Sequence, residues 1–258
     1  MATGAELMTD VLLSLILVAL AVVVSRTQRL GLESELIVAV LRAIVQLGAL
    51  TAVIHVVFDH LGLAGVFLIV MLAAAALTSG RRLTGVRGAR WLAAMTIGAS
   101  AFVAMSILFG TGVFPVEPQY LIPIGGMLIG NSMTAVSLAG ARLRDEIIDK
   151  TLEIESRLAL GVPARVALRP YARRAAAASL IPTIDSTKNV GLIFLPGAFV
   201  GMMLAGASPP EAARVQLVVL FMLLGAVSVA GMFITVLVAR AYTAPGERLV
   251  VPPSPPSS

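Results

Sequence analysis

ARVQLVVLFMLLGAVSVAGMFITVLVA (213–239) carries a single charge, Arg214, at its very beginning. At about 1.5 Å of rise per residue, a helix of this length reaches roughly 40 Å, more than the ~30 Å hydrocarbon core of a bilayer. So long and apolar a run predicts a membrane-spanning helix. Six further stretches pass the same test, at about 7–25, 35–58, 61–79, 91–110, 121–141 and 190–207. The stretch at 190–207 is the shortest and is broken by Pro196. The stretch at 7–25 reads as a retained span, because no Lys or Arg precedes it and no small-x-small cleavage site follows. The expected fold is all-α, a polytopic membrane protein with seven transmembrane helices.

Composition agrees. Of 258 residues, 58% are hydrophobic and 13% charged, and the mean hydropathy is +0.97. Soluble domains are nearer half apolar and a quarter charged. These values exclude a disordered chain, a basic nucleic-acid-binding domain and a typical soluble enzyme. The absence of cysteine excludes a disulfide scaffold, a thiolate metal site and cysteine catalysis. Taken loop by loop, seventeen of the nineteen Lys and Arg residues fall on one side of the seven spans. They include Arg26, Arg29, Arg81, Arg82, Arg87, Arg90 and nine between Arg142 and Lys188. The other side holds Arg214 alone, and Arg42 lies within a span. By the positive-inside rule the N-terminus is outside and the C-terminus cytoplasmic. Residues 1–241 form one membrane domain, and the Pro/Ser-rich 242–258 reads as a disordered cytoplasmic tail.

The longest hydrophilic stretch, 142–189, lies between the fifth and sixth spans. In RLRDEIIDKTLEIESRLALG (142–161), Leu143, Ile147, Thr151, Ile154 and Leu158 recur at helical spacing, and Glu146/Lys150 and Glu153/Arg157 stand four apart. The pattern predicts an amphipathic helix ending near Gly161, with Pro163 just past the turn. A second helical stretch follows, carrying Arg165, Arg169, Arg173 and Arg174. The result is a cytoplasmic helical finger. Its arginines could lay it on anionic lipid heads, or the finger could dock a cytoplasmic subunit. The mixed charges of 144–157 favour docking, since a lipid-binding face is more purely basic.

Polar residues at membrane depth are costly and mark packing contacts or a pathway. Arg42 and Gln46 share a face of the second span, where Arg42 either snorkels to the lipid heads or lines a pathway. GGMLIGNSMTAVSLAGA (125–141) carries Asn131, Ser132, Thr134 and Ser137, read as packing glue or as a polar pathway wall. Gly126 with Gly130, and Gly197 with Gly201, are small-xxx-small pairs that permit close helix packing. In IPTIDSTKNVGLIFLPGAFVG (181–201), Pro182 and Pro196 are candidate hinges. Asp185 and Lys188 lie one turn apart near the cytoplasmic boundary, either as a neutralising pair or as cavity groups. His55, Asp59 and His60 match no metal motif and read as solvated loop residues. The candidate pathway set is Arg42, Gln46, Asn131, Ser132, Asp185 and Lys188, with no metal ligands assigned.

Neither a G-x-x-x-x-G-K-[ST] loop nor H-E-x-x-H nor G-x-S-x-G occurs, so this chain is not expected to hydrolyse ATP or to be an enzyme. Two classes remain: a permease energised by a separate ATPase, or a self-contained ion-coupled carrier. A carrier more commonly places carboxylates in mid-span.

Four runs, LRAIVQL (41–47), PIGGMLIGNSMTAVSLA (123–139), IESRLALG (154–161) and above all IPTIDSTKNVGLIFLPGAFVGMMLAGASPPEAARVQLVV (181–219), resemble the FetB-type family of transporter permeases. That family includes bacterial iron exporters and plant half-transporters linked to aluminium tolerance, and the resemblance covers nearly the whole chain. It implies an ATP-binding-cassette transporter of two permeases and two ATPase subunits, with ATP and Mg on the ATPase and no cofactor on this chain. For the bacterial branch it implies the inner membrane as location and iron leaving the cytoplasm as cargo. Plant relatives are associated with different cargo, so a non-metal substrate stays open. Through the family's E-x-x-x-x-x-G turn, the resemblance makes Glu155, Leu160 and Gly161 the docking residues for the ATPase.

Overall fold

A computed structural model of the protein describes residues 4–250, with side chains from Leu12 on. Within it the chain divides into two compact units, one ending at Asp59 and one beginning at His60. The first is a pair of helices, α1 (Gly4–Thr27) and α2 (Glu33–Phe58). Their turn places Arg29 in the left-handed region at φ 54°. It is tied by buried Ser25, whose hydroxyl donates to the Glu33 carboxylate at 2.8 Å and accepts the Leu32 N–H at 3.3 Å.

The second unit contains α3 (Leu61–Arg82), α4 (Ala89–Gly110), α5 (Pro118–Asp149), α6 (Thr151–Ala159), α7 (Ala164–Ala167), α8 (Arg169–Asn189), α9 (Gly197–Leu204) and α10 (Pro209–Ala241). Two short strands, β1 (Thr243–Ala244) and β2 (Arg248–Leu249), close it as an antiparallel hairpin. Five helices among the described residues are long and apolar enough to cross a membrane: α2, α3, α4, α5 and α10. At 32 and 33 residues, α5 and α10 are each roughly 50 Å long, well beyond one hydrocarbon core.

Side-chain neighbours fix the directions of the helices. Gly125 faces Leu68 and Gly140 faces Leu83, so α5 runs parallel to α3, while Gly80 against Arg90 and Gly98 against Leu72 make α4 antiparallel. Gly140 also faces Ile234 of α10. Buried serines join the layers: Ser100 donates to Ser132 at 3.0 Å and Ser137 to Ser79 at 3.1 Å. Leu128, Val136, Leu143, Ile147, Val227, Ile234 and Val238 fill the core between them. One end of the bundle therefore gathers Arg81, Arg82, Arg87 and Arg90 with the C-termini of α5 and α10 and the start of α8. This is the basic end.

Gly80 is the position where a side chain is least tolerable. A Cβ there would lie 2.8 Å from the backbone Cα of Arg90, and backbone cannot swing away as a side-chain tip can. Gly80→Ala is expected to push α3 and α4 apart and cost about 1–3 kcal/mol, read as a lowered melting temperature of the purified protein. An unchanged Tm would show that the two helices separate freely.

Several expectations are corrected. No single helix covers 190–207. The chain leaves α8 at Val190, turns through Gly191 at φ 77° and re-enters a helix only at Gly197, with Pro196 as the extended residue before it. Pro196 thus starts a helix rather than kinking one. Pro182 does lie inside α8, where its missing N–H leaves the Ala178 carbonyl without its helical donor. The helix expected over 142–161 is interrupted at Lys150, where α5 ends and α6 begins, and it ends next to Gly161 as expected. The tail from Tyr242 is not structureless throughout: Thr243–Leu249 forms the hairpin and Tyr242 is fully buried. Residues 251–258 lie outside the described residues.

Candidate functional site

Asn131 lies about 20 Å along α5 from Pro118, within a helix long and apolar enough to cross a membrane. It opens on a cleft of about 200 Å³ between α5, α8 and α10. Asn131 and Thr134 come from α5, and Ser179, Pro182, Thr183 and Ser186 from α8; Leu220, Leu223 and Val227 of α10 close the apolar side. The α8 positions recur at three and four residues, so the polar stripe is one helix face.

Hydrogen bonds orient the polar groups of the cleft. The Asn131 side-chain amide N–H donates to the Met127 carbonyl at 2.8 Å, the Thr134 hydroxyl to Gly130 at 3.2 Å and the Ser179 hydroxyl to Ala176 at 2.7 Å. The lone pairs of these side-chain oxygens, Asn131 Oδ1 included, stay open to a visitor. So do the second Asn131 amide N–H and the Thr183 and Ser186 hydroxyls, which have no acceptor among the described residues. The lining can meet a cation or a donor-rich solute through its oxygens.

The predicted pathway residues divide. Asn131 and Pro182 line the cleft. Ser132, one residue on, faces α4 instead; it is fully buried and bonded to Ser100, so it is packing glue between α4 and α5. Asp185 and Lys188 lie on α8 beyond Pro182. Both are exposed on α8 faces outside the cleft lining, and they form none of the ion pairs found among the described residues. Arg42 and Gln46 are exposed on α2, within the N-terminal unit. Thr134, read from sequence as packing glue or pathway wall, lines the cleft, and the residues missed from sequence are Ser179, Thr183 and Ser186. Their helical spacing was visible, but only once α8 is known to extend unbroken to Asn189.

The glycine pairs fare differently. A Cβ on Gly126 would meet only the mobile tip of Met71, and Gly130, Gly197 and Gly201 face open space. Close packing within the chain rests on Gly80, Gly125, Gly140 and Gly231 instead. No group of three or more His, Cys, Asp or Glu side chains able to hold a metal occurs among the described residues.

At the basic end, α6 is amphipathic in an informative way. Ile154 is fully buried, whereas Leu152 and Leu160 are 80% and 84% exposed. With exposed Glu155 between them, they form one unpartnered face at the far side of the finger. Gly161 follows at φ 82°, the left-handed cap that ends the helix. The finger is clasped to the bundle. Arg174 of α8 reaches Glu146 of α5 at 3.0 Å and lies 5.0 Å over the Tyr171 ring, while Glu153 and Arg157 pair at 2.8 Å within α6. Burial and then the neighbouring Glu153 carboxylate raise the Tyr171 phenol above its ordinary pKa, so it stays neutral.

The comparisons with known proteins follow the same outline. The model of the uncharacterised protein family UPF0014 matches residues 8–243. The chain is 40% identical over 227 residues to the UPF0014 membrane protein STAR2 of Oryza sativa subsp. japonica, covering 87% of this chain and 80% of that one. To the protein ALUMINUM SENSITIVE 3 of Arabidopsis thaliana it is 39% identical, over 87% of this chain and 83% of the relative. To the probable iron export permease protein FetB of Escherichia coli (strain K12) it is 34% identical, over 93% of both. No solved structure matches the chain.

Proposed function

Because the chain belongs to the membrane family UPF0014, we propose that it is the permease subunit of an ATP-binding-cassette exporter that moves iron, or a related metal ion, out of the cytoplasm. The observation that carries the ATPase partnership is the face of α6 formed by Leu152, Glu155 and Leu160. Large apolar side chains left in water at the tip of a charged finger call for a protein partner. The cargo reading rests on the side-chain oxygens of the cleft together with the name of the E. coli relative.

In this reading α1, α2, α3, α4, α5 and α10 each cross the membrane once. The seventh crossing is discontinuous, built from α8, the 190–196 turn and α9. The basic end is cytoplasmic, the N-terminus lies outside, and the protein sits in a bacterial plasma membrane. Asn131, Thr134, Asp185 and Lys188 are exposed on the isolated chain at membrane depth, which would be costly against lipid. A second copy covering these faces removes the cost and encloses a pathway between two clefts. Gly130, Gly197 and Gly201, open within one chain, are then available for contacts between copies. ATP closure of the partner subunits would move the finger, and α8, freed at Pro182 and at the 190–196 turn, would shift the clefts between the two sides. Oxygen donors of the cleft suit Fe(II) as a transient passenger, and the lack of a carboxylate or imidazole cluster among the described residues suits weak holding and release.

Asp185, a carboxylate that this reading sets within the α8 crossing, favours the second reading, an ion-coupled carrier. One experiment separates the two. Permease and its cognate ATPase, reconstituted in vesicles with Fe(II), are expected to move metal only when ATP is present on the ATPase side. Metal movement driven by an ion gradient without the ATPase would overturn the proposal. Gly161 gives a further test. A β-branched residue there is forced into the left-handed region, at a local cost of roughly 1–2 kcal/mol, and tilts the end of α6. Gly161→Val is expected to reduce permease-stimulated ATP hydrolysis several-fold while the melting temperature moves by only a few degrees. Full stimulation would remove Gly161 from coupling.

A further inference from the structure

The arginines of the finger do not share one fate. Arg174 is committed to Glu146 and Tyr171. Arg165 and Arg169 instead converge with Arg240, from the last turn of α10, on a separate cavity of about 740 Å³ bounded by α7, α8, α10 and the C-terminal hairpin. None of these three guanidiniums takes part in an ion pair or side-chain hydrogen bond among the described residues. The one carboxylate in the lining, Glu247, accepts the Ala164 backbone N–H and forms no ion pair with these arginines. Three guanidiniums against one carboxylate leave the cavity with an excess of positive charge. Its floor is apolar: Ala172 of α8 and Val236 and Ala239 of α10 lie just where α10 leaves its apolar run.

From this juxtaposition we propose that the cavity is a binding site for an anionic phospholipid, its phosphate held by Arg165, Arg169 and Arg240 and its upper acyl chain lying on Ala239 and Val236. Guanidinium is the side chain best matched to a phosphate, which it grips through paired N–H donors. A soluble phosphate would use the arginines but have no use for the apolar floor. A zwitterionic lipid would use the floor but bring a choline or amine against three cations. The depth supports the same occupant, since basic pockets beside the ends of membrane helices lie level with lipid head groups. A lipid here touches the base of the finger, the last membrane helix and the hairpin that closes them, so it would brace the finger against α10. The site stands whether or not the finger docks an ATPase, because it rests on the membrane location alone.

The test uses the purified full chain in neutral detergent, with bound lipid counted by native mass spectrometry. Phosphatidylglycerol and phosphatidylcholine of identical acyl chains are the probes. Wild-type protein is expected to retain phosphatidylglycerol in preference to phosphatidylcholine. The triple variant R165Q/R169Q/R240Q is expected to lose that retention on the order of a hundredfold, each arginine contributing about fivefold. Ala239→Trp, which fills the floor and leaves the arginines in place, is expected to weaken phosphatidylglycerol at least about tenfold. Equal retention of the two lipids by wild type, or full retention by the triple variant, would overturn the proposal. Displacement of the lipid by millimolar inorganic phosphate or glycerol 3-phosphate would overturn it as well, assigning the site to a small soluble anion. If the triple variant does not melt cooperatively, the three single Arg→Gln variants and Ala239→Trp decide the matter by the same readout.

Discussion

Placing aspartate at both Leu152 and Leu160 is expected to abolish co-purification of the ATPase subunit and, with it, permease-stimulated ATP hydrolysis, while leaving the permease folded. The two halves of this expectation come from the same helix. Ile154 points into the bundle and is fully buried, so α6 is held in place from one side. Leu152 and Leu160 stand on the other side, 80% and 84% exposed, and contribute little to the fold of the isolated chain. Substitutions at such sites usually change stability by less than about 0.5 kcal/mol. Burying a leucine against a partner is worth roughly 1.5–3 kcal/mol, so losing two and adding charge weakens association about 10²–10⁴-fold. The measurement is a pull-down with the cognate ATPase, with hydrolysis rate and melting temperature recorded on the same preparations. A retained complex with full hydrolysis would mean that the finger's tip is not the docking surface. Glu155→Ala is a graded companion, since a rim charge alters affinity far less than a buried anchor does.

The membrane character of the chain was plain in its sequence, because hydropathy over twenty residues reports burial in lipid directly. Stretch 213–239 indeed lies within α10, and 61–79, 91–110 and 121–141 lie within α3, α4 and α5. Hydropathy says nothing of whether the backbone is helical, and 190–207 shows the cost. Leu192 to Leu195 are as apolar as any span yet form a turn. The breaking signals were present in Gly191 and Pro196, as a helix-ending glycine and a helix-starting proline. Reading them as stops would have ended the stretch at Val190 and drawn attention to the Ser179, Thr183, Ser186 stripe of α8. The hairpin was announced by Pro245–Gly246, a turn dipeptide overshadowed by the Pro/Ser run after it. Other features were not legible at all. Asn131 and Ser132 are neighbours of similar polarity separated by about 100° of helix, and only the packing of α4 decides which is buried. Spacing likewise marks Gly126 and Gly130 as strongly as Gly140, but the presence of Leu83 opposite Gly140 is a tertiary fact.

That division between Asn131 and Ser132 yields the second large expectation. Asn131→Leu keeps the side chain's size and removes the one amide oxygen that faces the cleft. A cation that has shed part of its hydration gains about 1.5–3 kcal/mol from such an acceptor, so metal efflux is expected to fall about 10–100-fold. Because Asn131 donates only to a helix carbonyl of its own turn, at Met127, the fold loses little. Ser132→Ala is expected to behave in the opposite way. Ser100 keeps the Ile97 carbonyl as acceptor at 3.0 Å when Ser132 is gone, so stability falls by about 1 kcal/mol and efflux is unchanged. Thr134→Val extends the series, taking the next acceptor oxygen from the same wall. The measurement is ATP-driven efflux of Fe(II) from vesicles holding equal amounts of each variant with the ATPase, beside thermal melts of each. Wild-type efflux in both Asn131→Leu and Thr134→Val would move the pathway out of this cleft. The exposed Asp185 and Lys188 faces of α8 would then be the groups to examine, and the same efflux assay on Asp185→Asn distinguishes them. A loss in Ser132→Ala as large as that in Asn131→Leu would mean that export responds to packing of α5 as a whole, not to the oxygens it presents.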